Sequence, residues 1–457
     1  MHASSMENMA RCFRRYIGVD YLSRNKEVNV LDIGGANVNG SYRDIIEGYN
    51  LSYLAADIAD GEGVDVHMVD PYKIPLDNSS IDIVISGQAF EHVEFFWMLF
   101  EEIVRVVKDD GFIFLIAPSS GAIHRHPVDC YRFYPDSYYA LAKYTNIRVL
   151  EVLHDERGPW RDLVGVFSKT EHRVIPTSER VFGDSNSQVG AGRTEVEYPT
   201  SGPNAEVSGS MPYLEFVAKV HKLLEPNFYF EIGVREGHSA ALAKCKAIGV
   251  DPASNINQNL PSTFELFSLL SDEFFEELPE TFEAPDLAFI DGMHLFEYVL
   301  RDFINVEKNA NHHSVIIIDD IFPSTEAQAS RERKTKAWMG DVWKIKECLS
   351  IYRPDLVCIA VDTYPSGLLV VFGADSANTV LTEKYNEIVK RFARMTAPSA
   401  DILSRKGVFN PKDPFVHQSI QMAKVTRQQN KSVSYLITKI KQAFLKYNAL
   451  AKQLDGL

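Results

Sequence analysis

Within this 457-residue chain, four side chains have the types and spacing to hold a metal and move a proton. Phe289-Ile290-Asp291-Gly292-Met293-His294 sets a carboxylate and an imidazole just past a short apolar run. Ile316-Ile317-Ile318-Asp319-Asp320 sets two more carboxylates past another. If both runs are neighbouring strands of an open α/β sheet, their carboxyl ends meet at the edge where such sheets bind ligands. Three carboxylates crowded there repel one another unless a cation neutralises them, and an all-oxygen set suits Mg2+, Mn2+ or Ca2+. The alternative is that one or two of them only cap helices or face solvent. A second concentration lies in the first half. Glu91-His92 follows the apolar run 83–86, and residues 118–135 carry His124, His126, Asp129, Cys130, Arg132 and the aromatics Tyr131, Phe133 and Tyr134.

These groups need a scaffold, and two glycine turns outline it. Val30-Leu31-Asp32-Ile33-Gly34-Gly35 runs a strand into a turn that ends near Gly40, and Phe230-Glu231-Ile232-Gly233 does the same towards Gly237. Each has an acid two residues before its first glycine, Asp32 and Glu231. Each is followed by a strand ending in a further acid, Asp57 and Asp251, as nucleotide-binding βαβ units require. Glycine permits a tight turn and a close approach to a ligand. A helix after the turn is expected to aim free N–H groups at that ligand. The later acid is expected to accept hydrogen bonds from ribose hydroxyls. Neither turn fits G-x-G-x-x-G, which leaves a nicotinamide oxidoreductase a distant third choice. The acid-x-glycine pattern instead resembles S-adenosylmethionine-dependent methyltransferases of the Rossmann-like class. The resemblance implies two S-adenosylmethionine sites, one at Asp32, Gly34, Gly35 and Asp57, the other at Glu231, Gly233, Gly237 and Asp251.

Alternation of strands and helices continues in both halves. In the first, residues 51–57, 64–68, 83–86 and 112–117 read as strands, and 148–153 with 162–168 as a closing hairpin. Residues 88–93 open a helix carrying Trp97, Leu99, Phe100, Ile103 and Val107, and Asp109-Asp110-Gly111 is a turn. In the second, 213–224 is an amphipathic lead-in helix, and strands fall at 229–232, 247–250, 287–290, 315–318, 357–361 and 368–372, the last two a hairpin. The fold class is α/β: two Rossmann-like methyltransferase domains, each a mostly parallel seven-stranded sheet ending in a reversed hairpin, plus a C-terminal helical tail. The expected boundaries are 1–170, a linker at 171–210 rich in Ser, Gly and Asn, 211–400, and a separate tail at 411–457. In the tail Val433, Ile437, Ile440, Phe444, Tyr447, Ala451 and Leu454 form a coiled-coil-like seam, with Lys431, Lys439, Lys441, Lys446 and Lys452 on the other faces. It is either a helix packed on the body or paired with its twin in a homodimer, or a basic helix touching a membrane surface or a membrane-bound partner.

Asp-Gly-x-His with a following acid pair resembles metal-dependent O-methyltransferases, the group of the catechol, caffeoyl and macrolide-sugar enzymes. The resemblance puts Asp291, Asp319 and Asp320 at metal positions for Mg2+ or Mn2+, and His294 at the position of a general base. Catechol-type members usually have Asp-Asn where this chain has Asp319-Asp320, and sugar-type members can have Glu-Asp, so the match speaks to the metal more than to the acceptor. A sugar hydroxyl fits this chemistry: a dication favours loss of its proton, His294 takes the proton, and the methyl passes in line. The alternative makes His294 a helix-start residue that only supports its neighbours. The first half resembles metal-independent methyltransferases, with an H-x-x-P-x-D-x-x-R-like run that occurs in enzymes of polysaccharide gene clusters. That implies an acceptor lid, with His92 and His126 as catalytic candidates and Asp129 and Arg132 as substrate contacts. Packing and helix-start roles are the alternatives. Zinc on His124, His126 and Cys130 is not expected, since no fourth ligand is in sight. The charged run 331–336 is either a cover over the acceptor or a solvated stretch.

Composition sets the outer bounds. With 45% hydrophobic and 24% charged residues the chain is ordinary globular protein. A net charge of -15 argues against nucleic acid as substrate. Five cysteines without a C-x-x-C pair suit a reducing compartment. No apolar run suffices for a membrane span and no signal-peptide core is seen, so a cytoplasmic protein with at most peripheral membrane contact is expected. The function implied is O-methylation of sugar hydroxyls on a bacterial surface polysaccharide, with a glycan as acceptor and glycan-assembly enzymes met through the tail. A phenolic or natural-product acceptor is one alternative; a non-catalytic scaffold role for one domain is another.

Overall fold

The computed structural model describes residues 1–24, 27–37, 40–46, 51–60, 63–177, 180, 206–280 and 282–454. The chain divides into two compact units, Met1–Gly192 with Thr382–Lys390, and Arg193–Leu381 with Arg391–Leu457.

The first unit contains α1 (Ala3–Tyr16), α2 (Val19–Arg24), β1 (Val28–Ile33), α3 (Arg43–Ile46), β2 (Leu51–Asp57), β3 (Val66–His67), β4 (Ile81–Gly87), α4 (Phe96–Val106), β5 (Val107–Pro118), α5 (Pro135–Thr145), β6 (Arg148–His154) and β7 (Asp162–Ser168). Its seven-stranded sheet has the order β3-β2-β1-β4-β5-β7-β6. Only β7 runs antiparallel to its neighbours. Both faces are covered. Leu99, Phe100 and Ile103 of α4 and Tyr138 and Leu141 of α5 bury one face, and Met9, Cys12, Phe13 and Tyr16 of α1 bury the other.

The second unit holds β8 (Met211–Pro212), α6 (Tyr213–Leu224), β9 (Phe228–Ile232), β10 (Lys246–Val250), β11 (Phe264–Phe267), α7 (Ser271–Glu276), β12 (Leu287–Ile290), α8 (Phe296–Lys308), β13 (Val315–Ile318), α9 (Lys344–Tyr352), β14 (Val357–Val361), β15 (Thr363–Tyr364) and β16 (Leu368–Phe372). Next in the chain, α10 (Val380–Glu383) and α11 (Tyr385–Ala393) fall largely in the Thr382–Lys390 segment of the first unit, and α12 (Ala400–Leu403), α13 (Pro414–Gln428) and α14 (Val433–Leu454) belong to the second. The sheet order β11-β10-β9-β12-β13-β16-β14 repeats that of the first unit. β9 and β13, Phe-Tyr-Phe-Glu-Ile and Val-Ile-Ile-Ile, are buried at every residue, as a parallel sheet covered on both faces demands. The α/β fold with two mostly parallel seven-stranded sheets and C-terminal helices is therefore as expected.

Local details differ. Residues 88–93 do not open a helix: Phe90–His92 is one 3₁₀ turn, and α4 starts at Phe96. Asp109-Asp110-Gly111 is not a turn but lies within β5, where a Cβ on Gly111 would sit 2.6 Å from the Asp82 carbonyl oxygen, too close to the neighbouring strand for any side chain. After the glycine turns, the long helices are missing. The first turn leads to α3 alone among the described residues, and the second to a 3₁₀ turn at Ala240–Leu242. The stretch between β9 and β10 is near the minimum for any parallel crossover, which leaves no room for a full helix. The tail is not a separate element: Phe415, Val416, Ile420, Leu436 and Ile440 share one core with Met211, Phe216 and Val370. Of the expected seam, Ile440 is buried in this core and Tyr447 packs against it, while Val433 and Phe444 are exposed and Leu436, outside the seam, is buried. The side chains of Ala451, Lys452 and Leu454 lie outside the described residues.

Of the expected linker, residues 178–179 and 181–205 lie outside the described residues. Its first part is ordered on the first unit, where the Ile175 N–H donates to the Arg15 carbonyl at 2.8 Å. Among the described residues, no helix is long and apolar enough to cross a membrane.

Candidate functional site

In the second unit the site grows from the end of β9. Gly233 turns the chain at φ +88°, and its N–H donates to the Val250 carbonyl at 2.9 Å. A Cβ there would lie 1.8 Å from the carbonyl oxygen of Asp291, so only glycine lets the turn touch the end of β12. Glu231, fully buried, accepts hydrogen bonds from Tyr229 at 2.9 Å and from Ser239. Burial nevertheless pushes its carboxyl up to about 8. Asp251 accepts from the Arg235 N–H at 2.6 Å and the Ala253 N–H at 2.8 Å, which ties the glycine loop to β10.

β12 and β13 are parallel neighbours with Ile290 opposite Ile318, so the residues just past them lie side by side. Asp291, His294 and Asp320 offer one ligand atom each, all within 4.8 Å of one another. His294 Nδ1 lies 2.7 Å from the Trp338 carbonyl and 3.0 Å from Asp320 Oδ2. A carbonyl can only accept, so Nδ1 carries the hydrogen and Nε2 is left as base or ligand, 3.8 Å from Asp291 Oδ1. The indole of Trp338 stacks on the ring at 5.1 Å. Asp320 reaches the group from a left-handed backbone at φ +65°. Asp319, expected as the third carboxylate, does not join them. Its Oδ1 accepts from Ser366 Oγ and from the Asp320 N–H, both at 2.7 Å, which pins it to the adjoining backbone. With His294 Nε2 as a ligand the set would be two oxygens and a nitrogen, which favours Mn2+ and later divalent metals over Mg2+; with Nε2 as base the two carboxylates alone remain. Burial, then the neighbouring carboxylates Asp319 and Asp320, push the Asp291 carboxyl far up, and burial with Asp320 lifts Asp319 to about 7. His294 is drawn down by burial but raised on balance, chiefly by Asp320. The charged run beyond is internally tied. Arg331 bonds Glu297 at 2.5 and 2.9 Å and Asp341 at 2.8 Å, and Asp341 also caps α8 through the Phe296 N–H at 2.8 Å. Arg331, Glu332, Arg333, Lys334 and Lys336 are all exposed, as the solvated reading expects.

The first unit repeats the turn. Gly34, at φ +79°, donates to the Ala56 carbonyl at 2.8 Å, and a Cβ would meet that of Ala89 at 2.6 Å. A Cβ on Gly35 would press on Ala55 at 2.9 Å. Asp32 is buried and accepts from the Tyr53 hydroxyl; burial lifts its carboxyl to about 7. Asp57 accepts from the Ala36 and Ala59 N–H groups at 3.3 and 2.8 Å, the counterpart of Asp251.

At the end of β4, Glu91 is fully buried, and burial pushes its carboxyl up to about 8. His92 and His124 lie against it, their Nε2 atoms 3.6 and 3.9 Å from its Oε1. Arg132 clamps Asp129 at 2.6 and 2.9 Å and holds that carboxyl well below its ordinary range, so both are occupied with each other. His126 is exposed, its ring 5.6 Å from that of His92. Asp162, fully buried at the start of β7, accepts from His2, Ser4 and Gln88 at this same sheet edge. Sequence reading missed Asp162, Tyr53, Ser239 and Trp338. Ser239, two residues past Gly237, had a positional signal; the others come from distant segments and had none.

Two different families, each described as a methyltransferase domain, match residues 31–115 and residues 230–321. The chain therefore carries two methyltransferase domains. No curated protein matches it. Similar solved structures include a putative O-methyltransferase from Klebsiella pneumoniae, with 18% identity over 36% of this chain and 80% of that one, at a TM-score of 0.30. An O-methyltransferase from Bacillus cereus in complex with SAH has 16% identity over 35% and 80%, at 0.28. The O-methyltransferase TomG from Streptomyces achromogenes, involved in tomaymycin synthesis and in complex with SAM, has 13% over 37% and 82%, at 0.29.

Proposed function

We propose that this protein transfers methyl groups from S-adenosylmethionine to sugar hydroxyls of a bacterial surface glycan, using both domains and, in the second, a divalent metal. The observation that supports it is the contact between the Gly233 turn and the Asp291 backbone, which sets a donor loop against the Asp291–His294–Asp320 group. In the second domain Glu231 and Asp251 would hold the donor's amino-acid and ribose parts; in the first, Asp32 and Asp57 would. Bound together, donor and metal supply an electrophilic methyl and a more acidic acceptor hydroxyl. The chain's own part is alignment and proton transfer. Asp291 and Asp320 would hold the metal beside the acceptor oxygen, His294 Nε2 takes that oxygen's proton, and one oxygen–carbon bond forms as one sulfur–carbon bond breaks. The exposed lysines Lys431, Lys441 and Lys446 of the tail support a meeting with an anionic assembly partner or membrane surface. The flat wall of Trp338 favours a second reading, a phenolic acceptor stacked beside His294.

Calorimetry with S-adenosylmethionine, with and without Mn2+, tests the donor sites on the full chain. Two equivalents are expected, and none would overturn the reading. Methyl transfer to sugar and catechol acceptors separates the two readings. Sugar turnover lost in Asp320→Asn supports the first, and turnover of catechols alone replaces it with the second.

A further inference from the structure

We propose that the first domain, which by sequence resembles metal-independent enzymes, holds a divalent transition metal on Glu91, His92 and His124. One ligand atom from each lies within 4.8 Å of the other two. A metal with ligands at about 2.0–2.1 Å spaces them roughly 3.3 Å apart in a tetrahedron, so the observed 3.6 and 3.9 Å need only a slight contraction. The independent observation is Glu91 itself. It is fully buried, and among the described residues no other residue donates a hydrogen bond to its Oε1 or Oε2. A carboxylate in that state is unfavourable unless a cation meets it.

The two imidazoles are set as metal ligands are set. His92 Nδ1 donates to the Val128 carbonyl at 2.6 Å, which leaves the Nε2 lone pair directed at the carboxylate. His124 Nδ1 lies 3.3 Å from both the Ala122 carbonyl and Asp129 Oδ2, and Arg132 fixes Asp129 in turn. Asp129 and Arg132 thereby gain a positioning role, orienting His124. Two nitrogens and one oxygen suit Zn2+ or another late divalent ion better than Mg2+. Three protein ligands would leave a coordination position open, and the exposed His126 ring lies 5.6 Å from that of His92 and 6.1 Å from that of His124.

Zn2+ is titrated calorimetrically into metal-stripped, full-length Asp320→Asn protein, which lacks a carboxylate of the second domain's cluster. The same titration is run on Asp320→Asn proteins carrying Glu91→Gln or His124→Gln. The single variant should bind about one equivalent, and each added change should weaken the Kd at least about 10-fold. No uptake by Asp320→Asn, or unchanged affinity after both added changes, overturns the proposal. The metal-free unfolding midpoint gives a second readout. A ligand carboxylate lacking donors predicts that Glu91→Gln leaves it unchanged or raised, and a drop would mark a purely structural ion cluster instead.

Discussion

Glu231 and Asp32 are acids that folding makes reluctant to ionise, with carboxyls lifted to about 8 and about 7 by burial. Glu231 in an unfolded chain titrates near its ordinary value of 4.5. Between those limits the native state keeps a proton that the unfolded state has lost. This group's contribution is therefore fully present below the unfolded value and is lost as pH rises through the folded one, by about 1.4 kcal/mol per pH unit. Urea denaturation of the cofactor-free protein from pH 5 to 8 should show that fall flattened in Glu231→Gln; equal slopes would refute the assignment. At His294 the question is whether Nε2 serves as base or as ligand. As base, His294→Gln should lower kcat on the order of 10²-fold with Mn2+ affinity little changed. If metal affinity falls along with kcat, His294 is a ligand.

At the scale of elements, α14 illustrates how a helix chooses its face. Leu436 and Ile440 are buried in the second unit's core, whereas Leu445 is 68% exposed. Ile440→Ala should cost about 2–5 kcal/mol in chemical denaturation, and Leu445→Ala should stay within about 0.5 kcal/mol. A reversed ranking would overturn the packing face assigned to α14. The parallel pairing of β12 with β13 is the element-level cause of the Asp291–His294–Asp320 group, because matched registers bring Asp291 beside the residues that follow Ile318.

Across the whole molecule, the same strand order occurs twice, each time with a glycine turn against the loop that follows the sheet's fourth strand. Two such sites should be separable. Gly34→Val and Gly233→Val place side chains where a Cβ already meets Ala89 at 2.6 Å and the Asp291 carbonyl at 1.8 Å. Each is expected to remove one of two S-adenosylmethionine equivalents and leave the other's Kd within about twofold. Loss of both from one substitution would make the sites interdependent.

The sequence by itself determined the doubled α/β plan, the two acid–glycine turns and the acids Asp57 and Asp251, because strand periodicity and glycine turns are local signals. It also marked Asp291, His294 and Asp320 as candidates for one edge. Tertiary structure alone decided which of those candidates meet. Asp319 is drawn off by Ser366, 47 positions later, and Glu91 sits between two histidines, one of them brought from the segment 118–135. Such partnerships depend on side-chain direction and on segments far apart in the chain, and no local pattern records either. The missing helix between β9 and β10 has a simpler origin, a crossover too short to hold one.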